Sequence, residues 1–294
     1  MIHSQPPLSW LIKNSLVLDF KFWRASKWSI GKKIVFFLKK YFLLFLLQTG
    51  IKTFSLGKSF VTLFQRKIFF DSRFGLAGYQ SVLARHQNMI NIVDIKRVQT
   101  MVDIGANVGF FSIFIRDRFP KAIIYAIEPA AKTFQALKNN FQDDNKTQLT
   151  NRAITNFCGY TKIVFDEKNS AVSHLIKNGA KYQNGIENVK TQTLDRFAKN
   201  NNIDTIDILK IDVETFEKHV LEKAKTILAK THYLFLEITM ENNKNYTFSE
   251  LINLLYNKGR YNFQLKAFRN FLDKGEGQLP WGDFLFENIY FKKT

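Results

Sequence analysis

The chain has 294 residues, with 43 Lys and Arg against 25 Asp and Glu, and a formal net charge of +18 at pH 7. A hydrophobic content of 46% with 23% charged residues is typical of a globular protein and excludes wholesale disorder. Because there is one cysteine, Cys158, and only five histidines, the composition excludes an internal disulfide framework and a cysteine-built metal site. The sequence therefore predicts no metal site built from cysteine or histidine.

Positive charge is concentrated at the N-terminal end. Residues 1–70 hold 12 Lys and Arg, one acid (Asp19) and 15 aromatic residues, so +11 of the total of +18 lies there. This contrast predicts a basic, apolar helical extension over residues 1–70. We expect a connecting helical segment over residues 71–97 and a larger domain over residues 98–294.

Within the extension, the segment Gly31–Gly50 combines apolar runs with lysines. Its two apolar runs are shorter than the roughly 20 residues that cross a bilayer, which disfavours a transmembrane helix. Lys32 and Lys39, like Lys33 and Lys40, are seven residues apart and share one helical stripe. The pattern is typical of a helix in an anionic membrane interface and indicates a cytoplasmic protein held peripherally on the inner face. The alternative is a helix packed on the larger domain.

Strands and helices alternate along the remainder of the chain. Predicted strands are Thr100–Ile104, Ala122–Ile127, Thr147–Ile154, Thr161–Phe165, Ile206–Ile211, Tyr233–Ile238, Tyr261–Lys266 and Phe284–Phe291. Predicted helices are Gly109–Arg118, Ala131–Phe141, Leu194–Lys199, a segment from Phe216 and Phe248–Lys258. This order predicts an α/β fold with a mostly parallel sheet covered on both faces. Ligands of such sheets bind beyond the carboxyl ends of the strands.

The glycine-containing turn after the first of these strands is the strongest local signal. It contains Gly105 and Gly109, but Asn107 replaces the middle glycine of a dinucleotide-binding turn, which disfavours a nicotinamide dehydrogenase. Asp103 suits a ligand with a cationic or amino group, and Glu128, after the second strand, suits two ribose hydroxyls. Together they indicate S-adenosylmethionine. The alternative is a tight turn that binds no ligand.

A second group of acids follows the fourth parallel strand. Asp212 and Glu214 come directly after Ile211, at the mouth of the same crevice, while Glu217 and His219 enter the next helix. For Glu214 and Glu217 the alternative is a purely structural role, because acids at a helix start interact favourably with the helix dipole.

Six segments, in this order and spacing, resemble the FkbM family of S-adenosylmethionine-dependent methyltransferases. They are MVDIGANVGFFS, AIEP, RAI, TLDRF, LKIDVETFE and DFLFEN, between about residues 98 and 290. The resemblance implies a Rossmann-like seven-stranded methyltransferase sheet, with helices on both faces, and methylation of hydroxyl groups. It also implies acceptors of the sugar, glycan or polyketide type.

Carried over by position, the resemblance assigns cofactor binding to Asp103, Gly105, Asn107, Gly109, Phe110, Glu128, Pro129, Ala153 and Asp212. In this family Glu128 corresponds to the ribose acid, and Ala153 lies at the adenine side. One position departs from the pattern. Thr215 stands where the family usually has glycine after the DVE sequence, so the local backbone and the acceptor pocket are expected to differ.

Methyl transfer to a hydroxyl needs an acceptor oxygen held in line with the methyl carbon, and a general base adds roughly 10²–10⁴-fold. Glu214, His219, Asp212 and His174 are candidate bases, and the sequence leaves the choice open. A magnesium ion held by Asp212 and Glu237 is a weaker alternative.

These features favour an O-methyltransferase that acts on a sugar, a glycan or a lipid-linked saccharide. Nucleic acid is a disfavoured partner, since the Asn/Asp-Pro-Pro-aromatic motif of base-amine methyltransferases is missing after the fourth strand. Two alternatives stay open. The net charge of +18 allows an RNA 2′-O-methyltransferase, and Thr215 allows a catalytically inactive membrane-associated scaffold.

Overall fold

A computed structural model gives the architecture of the chain. It describes residues 19–20, 23, 29–31, 33–34, 37–38, 60–63, 66–69, 82, 86, 88–93, 98–166, 169–175, 185–239, 245–270 and 281–292. The chain divides into two compact units, Met1–Ile90 and Asn91–Thr294. The domain boundaries expected from composition stay predictions.

The N-terminal unit contains helical residues and a hairpin. The described residues between 30 and 38 are helical, and Ile30, Ile34 and Leu38, four residues apart, are exposed. Strand β1 (Phe60–Leu63) pairs antiparallel with β2 (Arg66–Phe69), a hairpin that the expected helical extension did not include. Among the residues that the structure describes, no helix is long and apolar enough to span a bilayer.

The second unit is built around a large sheet and a smaller one. Its strands are β3 (Thr100–Ile104), β4 (Ile123–Ile127), β5 (Thr147–Thr150), β6 (Ala153–Ile154), β7 (Gly159–Asp166), β8 (Asn169–Leu175), β9 (Gly185–Gln192), β10 (Ile206–Ile211), β11 (Thr231–Thr239), β12 (Tyr256–Asn257), β13 (Tyr261–Asn270) and β14 (Trp281–Asn288). The large sheet has the order β12-β13-β14-β11-β10-β3-β4-β5, and the small sheet has the order β6-β9-β7-β8.

Parallel pairing joins β11, β10, β3, β4 and β5, and antiparallel pairing adds β14, β13 and β12. The prediction of an α/β fold with a mostly parallel sheet is confirmed. The large sheet has eight strands where seven were expected, because the two-residue β12 pairs with β13 at its edge.

Six helices are described in this unit: α1 (Phe110–Arg118), α2 (Ala131–Asn140), α3 (Leu194–Asn200), α4 (Glu217–Glu222), α5 (Lys225–Leu228) and α6 (Phe248–Asn253). On one face of the sheet, α3 to α6 share a buried core with Ile104 and Ile211. On the other face, Phe111 of α1 contacts Phe235 of β11, with ring centroids 5.5 Å apart. Because strand side chains alternate between faces, Asp103 and Lys210 lie on the α1 side.

Candidate functional site

The turn between β3 and α1 places backbone where side chains would not fit. Gly105, Asn107 and Gly109 have positive φ angles of 77°, 53° and 91°. A Cβ at Gly105 would lie 1.8 Å from the backbone oxygen of Asp212, so only glycine allows the turn to approach the end of β10 this closely. The turn and the loop after β10 therefore form one continuous rim at the carboxyl ends of the strands.

Glu128 lies directly after β4, and its carboxylate faces this turn. Its Oε2 accepts a hydrogen bond from the backbone N–H of Asn107 at 2.9 Å, and its Oε1 accepts one from the N–H of Ala130 at 2.9 Å. Burial raises the pKa of Glu128 to about 7, with smaller contributions from the charges of Asp212 and Asp103. The three carboxylates are thus near enough to interact, and each carboxylate oxygen of Glu128 retains capacity to accept a further hydrogen bond.

Asp103 is fully buried between β3 and α1. Its Oδ2 accepts a hydrogen bond from the Ser112 hydroxyl at 2.7 Å, and its Oδ1 lies 3.9 Å from the Nζ of Lys210. This arrangement fixes the first turn of α1 relative to β3. The family resemblance implied that Asp103 binds the cofactor; in the structure Asp103 is buried beneath the turn, and its contact with the cofactor stays a prediction.

Lys210 is the charged residue that sequence reasoning missed. It is only 6% exposed, its Nζ donates to Oδ2 of Asp212 at 2.7 Å, and it lies 5.6 Å from the centroid of the Phe111 ring. The charges of Asp212 and Asp103 raise the pKa of Lys210 against the opposing effect of burial, so it stays protonated. A lysine within the apolar strand IDILKI was the signal, because such residues are rarely buried unless paired.

Asp212 is the third member of the charged group that contains Asp103 and Lys210, and it lies on the solvent-accessible side. Its side chain is 24% exposed, whereas Asp103 is fully buried, so Asp212 is the acid of this pair that is accessible from the crevice. Lys210 offsets part of the negative charge of the two aspartates and leaves the crevice acidic. Such a crevice suits a cationic ligand.

The loop after Asp212 adopts an unusual backbone conformation. Glu214 and Thr215 both have positive φ angles, 50° and 74°. The side-chain amide of Asn245 donates to the backbone oxygen and to Oγ1 of Thr215, each at 2.8 Å. These bonds stabilise a left-handed conformation that a threonine rarely adopts, so the residue that replaces glycine is held by contacts of its own side chain.

Glu217 holds the same loop in place through hydrogen bonds to its backbone. Its Oε1 accepts hydrogen bonds from the N–H groups of Val213 and Thr215, at 3.3 and 3.2 Å, and its Oε2 accepts one from the Tyr246 hydroxyl. Burial raises the pKa of Glu217 to about 7. Glu217 therefore positions Glu214 and Thr215, a structural role more specific than the helix-dipole contact that was the alternative from sequence.

The other residues singled out from sequence lie as follows. Phe110 begins α1, Pro129 lies half-buried next to Glu128, and Ala153 is buried in β6. His219 lies in α4 with its ring 5.1 Å from that of Phe216. His174 belongs to β8, and its side chain lies outside the described part of the structure.

The residues around the crevice fit S-adenosylmethionine on their own chemistry. Carboxylates attract a sulfonium and an amino group, Glu128 has acceptor capacity for ribose hydroxyls, and the glycine turn leaves room for close approach. Among the residues that the structure describes, no group of three or more His, Cys, Asp or Glu side chains is arranged to hold a metal ion.

The chain resembles known proteins over the same region. The model of the Methyltransferase FkbM domain matches residues 103–265, more than half of the chain. The Sordaria araneosa methyltransferase sdnD is 24% identical over 174 residues, which cover 49% of this chain and 66% of that protein.

Two solved structures are among those that match the chain. P. horikoshii TYW2 in complex with MeSAdo has 14% identity and a TM-score of 0.48, over 83% of this chain and 80% of that chain. Aeropyrum pernix fibrillarin with natively bound S-adenosyl-L-methionine has 12% identity and a TM-score of 0.39, over 65% of this chain and 67% of that chain.

Proposed function

Because the chain belongs to the FkbM methyltransferase family, we propose that it transfers a methyl group from S-adenosylmethionine to a hydroxyl of a sugar, glycan or lipid-linked saccharide. Membership makes residues 103–265 an S-adenosylmethionine-dependent methyltransferase domain. The observation that carries the proposal is the acidic crevice of Glu128 and Asp212 around the Gly105 turn. The choice of a saccharide hydroxyl is supported by the family resemblance of the sequence.

In this proposal Glu128 binds the ribose hydroxyls, because its carboxylate is fixed by two backbone N–H groups and has acceptor capacity left. Asp212, held by Lys210, faces the amino group of the methionine moiety. The cofactor supplies a sulfonium-bound methyl group, which is lost to a nucleophile by in-line displacement. The residues of the chain orient the reactants and exclude water, and such positioning supplies much of the rate.

Glu214 is our choice for the general base. It lies on the loop that Glu217 and Asn245 hold in place, three residues after the end of β10. A base on a fixed loop at the crevice mouth can accept the proton of an acceptor hydroxyl, whereas the carboxylate of Asp212 already accepts a hydrogen bond from Lys210. His219 packs against Phe216 and is the second candidate.

We further propose that the N-terminal unit associates with an anionic membrane surface on the cytoplasmic side. The exposed side chains of Ile30, Ile34 and Leu38 form one helical stripe, since they follow each other at intervals of four residues. Lys33 lies on the same helix and donates a hydrogen bond to the backbone oxygen of Trp23 at 2.7 Å. An apolar stripe within a strongly basic segment is typical of interfacial helices.

A labelled-methyl transfer assay against glycan, lipid and RNA extracts tests the reaction. We expect label in the glycan or lipid-linked saccharide fraction with the native chain, and a loss of about 10²–10⁴-fold with Glu214→Gln. Glu250→Gln is the matched control, because Glu250 is an exposed acid of α6 that pairs with Lys218. Label in RNA alone would replace the saccharide acceptor by the 2′-hydroxyl of RNA. An absence of label together with an absence of cofactor binding would favour an inactive scaffold.

A further inference from the structure

A second cavity is lined by residues of α3, of the small sheet and of the end of β5. Its volume is about 630 Å³, within the usual range of small-molecule sites. None of Asp103, Gly105, Glu128 and Asp212 lines it. The lining of this cavity therefore differs from that of the crevice around Glu128 and Asp212.

Three cations line this cavity, and no carboxylate does. They are Arg152 between β5 and β6, Lys190 in β9, and Arg196 in α3. In the part of the chain that the structure describes, no salt bridge neutralises them. Three positive side chains without a carboxylate in the lining favour an anionic ligand, and two guanidinium groups suit a phosphate.

A buried hydroxyl in the lining also lacks a hydrogen-bond partner. Thr191 is 2% exposed, and its Oγ1 makes no hydrogen bond within the described part of the structure. Strand register places Thr191 opposite Gly159 on one side and Ala153 on the other, so its neighbours have little or no side chain. Because this oxygen is closed off from solvent, it does not face the open cavity, and the preference for an anionic ligand depends on the three cations.

We infer that this cavity binds an organic phosphate, whose phosphate group is held by Arg152, Lys190 and Arg196. The volume exceeds what a bare phosphate fills, and the exposed ring of Tyr160 in the lining offers apolar surface to the organic part of the ligand. None of the residues that the family resemblance assigns to cofactor binding lines this site.

Cys158 provides a reporter for this site. It is the only cysteine of the chain, it is exposed, and it lines the cavity. A backbone hydrogen bond from Thr193 and the nearby Arg196 guanidinium lower the pKa of the Cys158 thiol. A phosphate bound to Arg196 would offset the positive charge, reduce the thiolate fraction and obstruct the sulfur, and alkylation would slow down.

The experiment measures the rate of Cys158 alkylation by iodoacetamide at constant ionic strength, with titration calorimetry in parallel. The probes are glucose 1-phosphate, inorganic phosphate, glucose and sodium acetate. We expect glucose 1-phosphate to slow alkylation at least about threefold and to bind more tightly than inorganic phosphate. Glucose and acetate should have no effect.

The double variant Arg152→Gln, Arg196→Gln should weaken phosphate binding about tenfold or more, since each hydrogen bond to a charged group contributes substantially. Lys199→Gln is the matched control, because Lys199 is an exposed cation of α3 outside the lining. Circular dichroism checks that each variant is folded. Equal binding by the native chain and the double variant, or no effect of either phosphate on alkylation, would overturn the inference.

The last measurement repeats glucose 1-phosphate binding in the presence of saturating S-adenosylhomocysteine. We expect S-adenosylhomocysteine to leave phosphate binding unchanged. If it displaces glucose 1-phosphate, the cavity belongs to the cofactor crevice and is not a separate site.

Discussion

At the scale of single residues, Lys210 sets the charge balance of the crevice. It is buried between two aspartates, and only one of them, Asp212, is partly exposed. Burying one carboxylate without a cation is strongly unfavourable, so the pair of acids depends on this lysine. The position of the Asp212 carboxylate therefore depends on a residue in the core of the sheet.

Replacing this lysine with an apolar side chain of similar length tests that dependence. We expect Lys210→Met to lower the free energy of unfolding by about 3–5 kcal/mol, because Asp103 is left buried without its neighbouring cation. Urea denaturation measures the change. Lys199→Met, at an exposed position of α3, should stay within about 0.5 kcal/mol of the native chain. Equal effects of the two substitutions would contradict the role of Lys210.

Glu128 predicts a pH dependence of cofactor binding. Its pKa is raised by burial to about 7, so the carboxylate that we propose as the acceptor for the ribose hydroxyls forms as pH rises through 7. We expect the dissociation constant for S-adenosylmethionine to fall about tenfold between pH 6 and pH 8, as one coupled proton requires. Calorimetry at both pH values measures it.

The variants Glu128→Gln and Glu217→Gln separate the contributions of the two buried acids. Glu128→Gln should bind weakly and almost independently of pH, whereas Glu217→Gln should retain the pH dependence.

The raised pKa values of Glu128 and Glu217 also make the free energy of unfolding depend on pH. Below the unfolded pKa near 4.5, the protonated folded form is favoured. The stability that Glu128 and Glu217 contribute at low pH is lost as pH rises through about 7.

At the scale of elements, the turn from β3 to α1 depends on its contact with the end of β10. We expect Gly105→Ala to abolish measurable cofactor binding, because its Cβ would lie 1.8 Å from the backbone oxygen of Asp212. Gly259→Ala is a matched control. Gly259 also has a positive φ of 75°, but a Cβ there has no heavy atom within 4 Å.

Thermal or urea unfolding separates the cost of the left-handed backbone conformation, which both alanines have, from the cost of the steric clash, which only Gly105→Ala has. Gly259→Ala should cost only the left-handed conformation, about 1–2 kcal/mol. Gly105→Ala should cost clearly more, since the turn and the loop must also move apart. If both substitutions cost the same and both retain cofactor binding, close approach of the two segments is not required.

The loop after β10 offers a test of how Thr215 replaces glycine. We expect Asn245→Ala to destabilise the native chain more than it destabilises Thr215→Gly, because the bond from Asn245 to the hydroxyl exists only with threonine. The coupling energy should be about 0.5–1.5 kcal/mol, the contribution of one hydrogen bond. A double-mutant cycle by urea denaturation measures it, and zero coupling would contradict the contact.

At the scale of the whole molecule, the uneven charge predicts where the enzyme resides. Residues 1–70 have a net charge of +11, and the described helix there exposes Ile34 and Leu38. We expect the full chain to sediment with vesicles containing phosphatidylserine, and to be released by salt, since juxtamembrane basic residues contribute about 1 kcal/mol each near an anionic surface.

The double variant Ile34→Asp, Leu38→Asp should lose most vesicle binding. Ile289→Asp is the control. Ile289 lies in the second unit, and its exposed fraction of 46% is nearly that of Ile34, 47%. Binding that survives in the double variant would exclude the apolar stripe as the membrane contact.

Much of the fold follows from local patterns in the sequence. The strands Thr100–Ile104 and Ile206–Ile211 have the bounds that their continuous apolar residues predicted. The helix expected over Phe248–Lys258 ends at Asn253, and its last part turns into the two-residue β12. That difference has a tertiary cause, because β12 pairs with β13, a partner that the local pattern does not reveal.

The amino-acid sequence by itself determined the alternation of strands and helices, the glycine turn and the acids at the strand ends, since each depends on residues close together in the chain. Only the tertiary structure decided that Asp103 lies buried beneath the turn, that Lys210 joins it to Asp212, and that Asn245 holds Thr215. Those contacts join residues up to about one hundred positions apart. Their energies depend on burial and distance, which arise when β3 and β10 pair in one register.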